Sequence, residues 1–73
     1  MNLGQQIRTN RKKAGLTQEQ VAEYLGVTAP AVHKWEKGST YPDITLLPAL
    51  ARLLHLDMNE LFSFREEIWD GRM

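Results

Sequence analysis

Gln18-Glu-Gln-Val-Ala-Glu-Tyr-Leu-Gly-Val-Thr-Ala-Pro-Ala-Val-His-Lys-Trp-Glu-Lys37 is the stretch that decides the fold of this 73-residue chain. Its apolar residues Val21, Leu25, Val27, Val32 and Trp35 recur where two short helices packed at a steep angle need them. Ala22 is small where the helices would touch, and Gly26 stands where the turn between them needs a positive φ. That pattern describes a helix-turn-helix, a device that offers its second helix to the major groove of double-stranded DNA.

Working outward, each helix has its own start and stop signals. Leu3, Ile7, Ala14 and Leu16, with polar residues between, predict a first helix over about residues 3–14, closed by Gly15. Thr17 is a good N-cap for the second helix, and Gln20 three residues later completes a capping box. Thr28 caps the third helix, Pro30 falls in its first turn where a missing N–H does no harm, and Gly38 ends it. After the loop Ser39-Thr-Tyr-Pro42, Asp43 is expected to cap a fourth helix carrying Leu46, Leu47, Leu50, Ala51, Leu53 and Leu54. Pro48 lies inside that helix and predicts a tight or irregular first turn. Asp57-Met-Asn-Glu60 is a further capping box, opening a fifth short helix with Leu61 and Phe62. The expected architecture is all-α, a compact five-helix bundle over residues 1–62. Residues 63–73 form a C-terminal tail whose Phe64, Ile68 and Trp69 suit a dimer or partner surface, a frayed end or a linker.

The totals narrow the class. A chain of this size buries only about 60% of its unfolded surface, so one modestly stable domain is expected. There is no cysteine, hence no disulfide and no thiolate chemistry, which suits a cytoplasmic setting. No stretch approaches the ~20 apolar residues of a membrane span. The formal net charge is zero, but its distribution is uneven. Residues 1–38 carry Arg8, Arg11, Lys12, Lys13, Lys34 and Lys37 against Glu19, Glu23 and Glu36, a net +3, and residues 39–73 carry the balancing −3. The positive half holds the helix-turn-helix, as a DNA-binding face requires, although a solvated charged face with no partner gives the same count.

From Leu3 to Phe62 the chain resembles the phage-repressor (Cro and Xre type) family of helix-turn-helix domains. The resemblance rests on Arg11-x-x-x-Gly15-Leu-Thr-Gln18, on Gly26-Val-Thr28 at the turn, and on Trp35-Glu-Lys-Gly38 followed by Pro42. Leu50-Ala51 and Leu61-Phe62 match the family's later helices. The resemblance implies a lambda-repressor-like bundle that binds operator DNA as a two-fold homodimer, with half-sites about 34 Å apart. It also implies a structural ion pair between Arg11 and Glu36, so that Arg11 would hold the fold together rather than read DNA.

Carried over position by position, the resemblance places Ala29, Pro30 and Lys34 at base-reading positions. Thr28, His33 and Lys37 lie nearby for bases or phosphates. Thr17 and Gln18, at the start of the second helix, would meet a backbone phosphate with free N–H groups and the helix dipole. Thr40 and Tyr41, with Ser39, would approach the sugar-phosphate backbone. Relatives often carry amide, hydroxyl or guanidinium groups at positions 29 and 30, whereas Ala29 and Pro30 can offer only apolar packing on thymine methyls. Specificity is therefore expected to be weaker, or more dependent on DNA shape, than in a glutamine-bearing relative.

The expected function is a sequence-specific, DNA-binding transcriptional regulator, a repressor by family habit, that inserts its third helix (about 28–37) into the major groove. The alternative is an antitoxin-like or scaffold module whose main target is a protein, held through the acidic second half and the apolar tail. Enzymatic chemistry finds no support. His33 and His55 lie on different helices without a cysteine or a paired carboxylate motif beside either. There is no phosphate-cradling glycine loop and no metal-ligand spacing, so neither cofactor nor metal is expected.

Overall fold

The computed structural model describes residues 2–56, and among them there are four α-helices, one 3-10 turn and no strand. The helices are α1 (Leu3–Lys13), α2 (Gln18–Leu25), α3 (Ala29–Lys37) and α4 (Leu47–Leu54). The capping box that opens the fifth helix of the sequence reading, and the tail 63–73, lie outside the described residues.

Side chains in the first turn define where each of the first three helices starts. Asn2 accepts from the Gln5 N–H at 2.8 Å while the Gln5 side chain reaches back to the Asn2 N–H. Thr17 Oγ1 accepts from the Gln20 N–H at 3.0 Å, and Gln20 Oε1 accepts from the Thr17 N–H at 2.8 Å. Thr28 Oγ1 caps α3 through the Ala31 N–H at 3.3 Å, with Pro30 in the first turn. Such reciprocal caps satisfy donors that no helical carbonyl can reach.

The four helices also end alike. The N–H of Leu16, Val27, Ser39 and Leu56 reaches back to the carbonyl of Arg11, Ala22, Lys34 and Ala51, at 3.0, 2.9, 3.0 and 3.0 Å. This six-to-one bond needs a left-handed residue just before its donor. At the turn that matters most, Gly26 supplies it at φ 74°. At the end of α4 the same place is taken by His55, at φ 57°, a conformation that costs a non-glycine residue energy. In three of the four cases the donor residue is apolar and seals the turn onto the core: Leu16, Val27 and Leu56 all pack there.

One expectation needs correction. Asp43 does not cap a long fourth helix. Its Oδ1 accepts from the N–H and the hydroxyl of Thr45, at 2.9 and 2.8 Å, and so opens a separate 3-10 turn, Ile44–Leu46. α4 begins only at Leu47, which puts Pro48 in its first turn, where the missing N–H has no helical acceptor to lose. The proline thus sets the helix start.

The core is small and continuous. Ile7, Val21, Val32, Leu50 and Leu54 are fully buried, joined by Leu3, Ala22, Trp35, Ala51 and Leu56. α3 packs on both α1 and α2, and α4 closes the other side against α1 and α2. Burying each of the large aliphatic side chains contributes about 1.5–3 kcal/mol. α1 comes so close to α3 that a Cβ at Gly4 would run into the Trp35 carbonyl oxygen and lie 3.1 Å from that of Glu36. The consequence for the site is rigid support for α3 from both sides, with its remaining face exposed.

Candidate nucleic-acid interface

α3 divides its residues cleanly. Val32 and Trp35 face the core, Ala31 is half-buried, and Thr28, Pro30, His33, Lys34 and Lys37 are exposed. Ala29 departs from the outward position the sequence reading gave it. It is half-buried and packs against the core. Pro30 and Lys34, four residues apart, therefore lead the exposed face.

Between α1, α2 and α3 lies an open cleft of about 240 Å³, lined by Arg8, Arg11, Lys12, Gln18, His33, Glu36 and Lys37. Four cationic side chains against one carboxylate give it a positive balance. Arg8, Arg11 and Lys12 share one face of α1 by their spacing of three and four residues, a signal present in the sequence. What the sequence did not reveal is that this face meets the start of α2 and the end of α3.

The floor of the cleft is a hydrogen-bonded relay. Arg11 Nε donates to Glu36 Oε2 at 2.7 Å and Arg11 Nη2 to Glu36 Oε1 at 3.2 Å, a two-armed pair. Arg11 Nη1 donates to the Leu16 carbonyl at 2.8 Å, so the same guanidinium ties α1, α3 and the loop before α2. The two side chains are 11% and 4% exposed. Burial pushes the Glu36 carboxyl up, but hydrogen bonds from Arg11 and Gln18 and the charges of Arg11 and Arg8 outweigh it, holding the carboxyl below its ordinary value.

Gln18 extends the relay. Its Nε2 donates to Glu36 Oε1 at 3.1 Å and lies 3.3 Å from His33 Nδ1. In this structure the Gln18 amide nitrogen thus donates to Glu36 and also faces the His33 ring. The first-turn N–H groups of Gln18 and Glu19 still point out of the helix with no helical acceptor. Thr17 is exposed, its hydroxyl oxygen used in the cap.

The loop after α3 folds back onto the end of the helix. The N–H groups of Ser39 and Thr40 both turn back to the Lys34 carbonyl, at 3.0 and 3.5 Å, leaving hydroxyls rather than backbone donors at the surface. Thr40 is exposed, and Tyr41 is 63% exposed. Among the described residues, no group of three His, Cys, Asp or Glu side chains could hold a metal, and no helix is long and apolar enough to cross a membrane.

The profile of the helix-turn-helix family matches residues 7–61, from the middle of α1 past the end of α4. The chain belongs to the Cro/Xre-type helix-turn-helix family. Members of this family are transcriptional regulators, and this chain is not an enzyme. Among solved structures, the helix-turn-helix chain is similar to the P22 c2 repressor, crystallised in complex with a synthetic operator. The TM-score is 0.73 and the identity 32%, over 78% of this chain and 86% of that one. It is 41% identical over 64 residues to the HTH-type transcriptional activator BcrR of Enterococcus faecalis, covering 88% of this chain but 30% of that protein. It is 38% identical to an HTH-type transcriptional regulator of Archaeoglobus fulgidus, covering 86% of this chain and 91% of that protein.

Proposed function

We propose that this chain is a sequence-specific, double-stranded-DNA-binding transcriptional regulator that seats α3 in the major groove. The observation that carries the reading is a fold like that of an operator-bound repressor, with one exposed, basic face on the corresponding helix. Pro30 and Lys34 meet base edges, with Ala29 contributing only what its half-buried methyl can reach. Lys34 donates to guanine O6 and N7, and Pro30 packs on a thymine methyl. Thr28, His33 and Lys37 flank them. The N-terminus of α2, at Thr17 and Gln18, faces a phosphate through backbone N–H groups. Thr40 and Tyr41 lie along the sugar-phosphate backbone. Arg11 and Glu36 serve the fold, since their groups are consumed by each other, by Leu16 and by Gln18.

A two-fold homodimer on half-sites about 34 Å apart is the natural assembly for such a reader. Repression is the direction we propose, because occluding a promoter needs only tight binding, whereas activation needs a further contact with the transcription machinery. A salt titration of duplex binding tests the reading. With Lys37, Arg8 and Lys12 near phosphates, log K should fall with log[salt] at a slope of about −0.9 per phosphate neutralised. Binding that ignores salt, or no binding by a folded chain, would support a protein-binding scaffold instead.

A further inference from the structure

We propose that His33 is a phosphate-positioning donor whose tautomer is set by Gln18, an inference that rests on the DNA-binding reading above. The chain of causes begins at Glu36. Its carboxylate is held ionised by Arg11, so the Gln18 amide must turn its nitrogen, not its oxygen, toward Glu36 Oε1 at 3.1 Å. The same nitrogen then faces His33 Nδ1 at 3.3 Å. A donor opposite Nδ1 requires Nδ1 to be the acceptor, and in a neutral imidazole the proton then resides on Nε2. His33 is exposed, and Nε2 has no partner among the described residues. The outward edge of His33 is therefore a fixed N–H donor.

The surroundings name the acceptor. His33 sits on the side of α3 that lines the cleft with Arg8, Lys12 and Lys37. Cations gathered around one donor fit a backbone phosphate oxygen better than a base edge. His33 thus contributes a neutral hydrogen bond to the phosphate, independent of sequence, while the lysines supply charge. Gln18 acts through His33 and is a positioning residue.

Two measurements test this. In the free chain at a pH of about 8, where imidazoles are neutral, nitrogen–proton correlation spectra should show His33 wholly as the Nε2–H tautomer. Gln18→Met should let it relax toward a mixture of the two neutral tautomers. A mixed or Nδ1-protonated His33 in the unmodified chain would overturn the inference without reference to DNA. On duplexes, His33→Phe should weaken binding by about two- to twelvefold, the range of one net hydrogen bond. That loss should be equal on operator and unrelated sequences, with the salt slope unchanged because no counterion is released. Gln18→Met should weaken the native chain but not a His33→Gln background, whose amide donates at the same reach without help. A sequence-dependent loss, a changed slope, or an equal Gln18→Met effect in both backgrounds would overturn the assignment. A native chain that binds no duplex at all would overturn the DNA reading with it, whereas one that binds and tolerates His33→Phe would overturn this inference alone.

Discussion

Replacing Arg11 by methionine removes the guanidinium but keeps most of the aliphatic stem, which isolates the polar relay. Three hydrogen bonds disappear, two to Glu36 and one to the Leu16 carbonyl. Glu36, whose side chain is 4% exposed in the native chain, keeps only the Gln18 amide on its carboxylate. Breaking one side of a fully buried pair costs about 3–5 kcal/mol. The surviving Gln18 bond and the 11% exposure of Arg11 place this case near the lower end, about 3 kcal/mol. A chain of this length has about 4–11 kcal/mol in total, so the variant should keep roughly 1–8 kcal/mol. Helical circular dichroism should record a drop in Tm of roughly 12–24 °C.

The pH dependence carries the sign. The native Glu36 carboxyl is held below its ordinary value of 4.5, so its contribution is complete above that pH and is lost as pH falls through the lowered native value. In Arg11→Met, burial acts with less opposition, the carboxyl rises, and protonation relieves the unpaired charge. The deficit relative to the native chain should therefore narrow below pH 4.5. The double variant Arg11→Met/Glu36→Leu should recover to within about 1 kcal/mol of the native chain, since apolar groups can replace a buried pair. A single-variant loss under about 1 kcal/mol, independent of pH, would refute the view that this pair supports the junction of α1, α2 and α3.

Other variants probe other parts of the account. Gly4→Ala must push α1 away from the Trp35 carbonyl and should cost about 1–3 kcal/mol in urea unfolding, despite alanine's better helix propensity. His55→Gly releases the left-handed residue at the end of α4 and should raise stability by about 1 kcal/mol. In a base-by-base binding profile, Lys34→Ala should cost about 1–3 kcal/mol at one base position and little elsewhere. Lys37→Gln should weaken all duplexes alike and make the salt slope shallower by about 1.

The parts of this fold that were legible in the sequence are those fixed by neighbours in the chain. Thr17 with Gln20, Thr28 with Pro30, and Gly26 announce the two helices and their turn because caps and positive φ are local requirements. The exposed face of α3 followed from the spacing of Val32 and Trp35. What escaped depended on approach between helices. Gly4 resembles any other glycine in a helix until α3 is laid across it. Periodicity sets Ala29 outward because it cannot tell how far the core reaches under the first turn of α3. The position of Gln18 at the start of α2 is legible, but not that its amide turns to His33 and Glu36, fifteen and eighteen residues away. Asp43 was legible as a cap but not as the cap of a 3-10 turn, since Thr45 and Pro48 together decide where helical bonding resumes.

The most direct test of the central claim is selection of the folded chain on a pool of random DNA duplexes at moderate salt, with sequencing of what it retains. The account expects a two-fold symmetric motif with half-sites one helical turn apart, an apolar thymine preference under Pro30 and a guanine under Lys34. Retention of no motif by a chain whose helical spectrum is intact would contradict it.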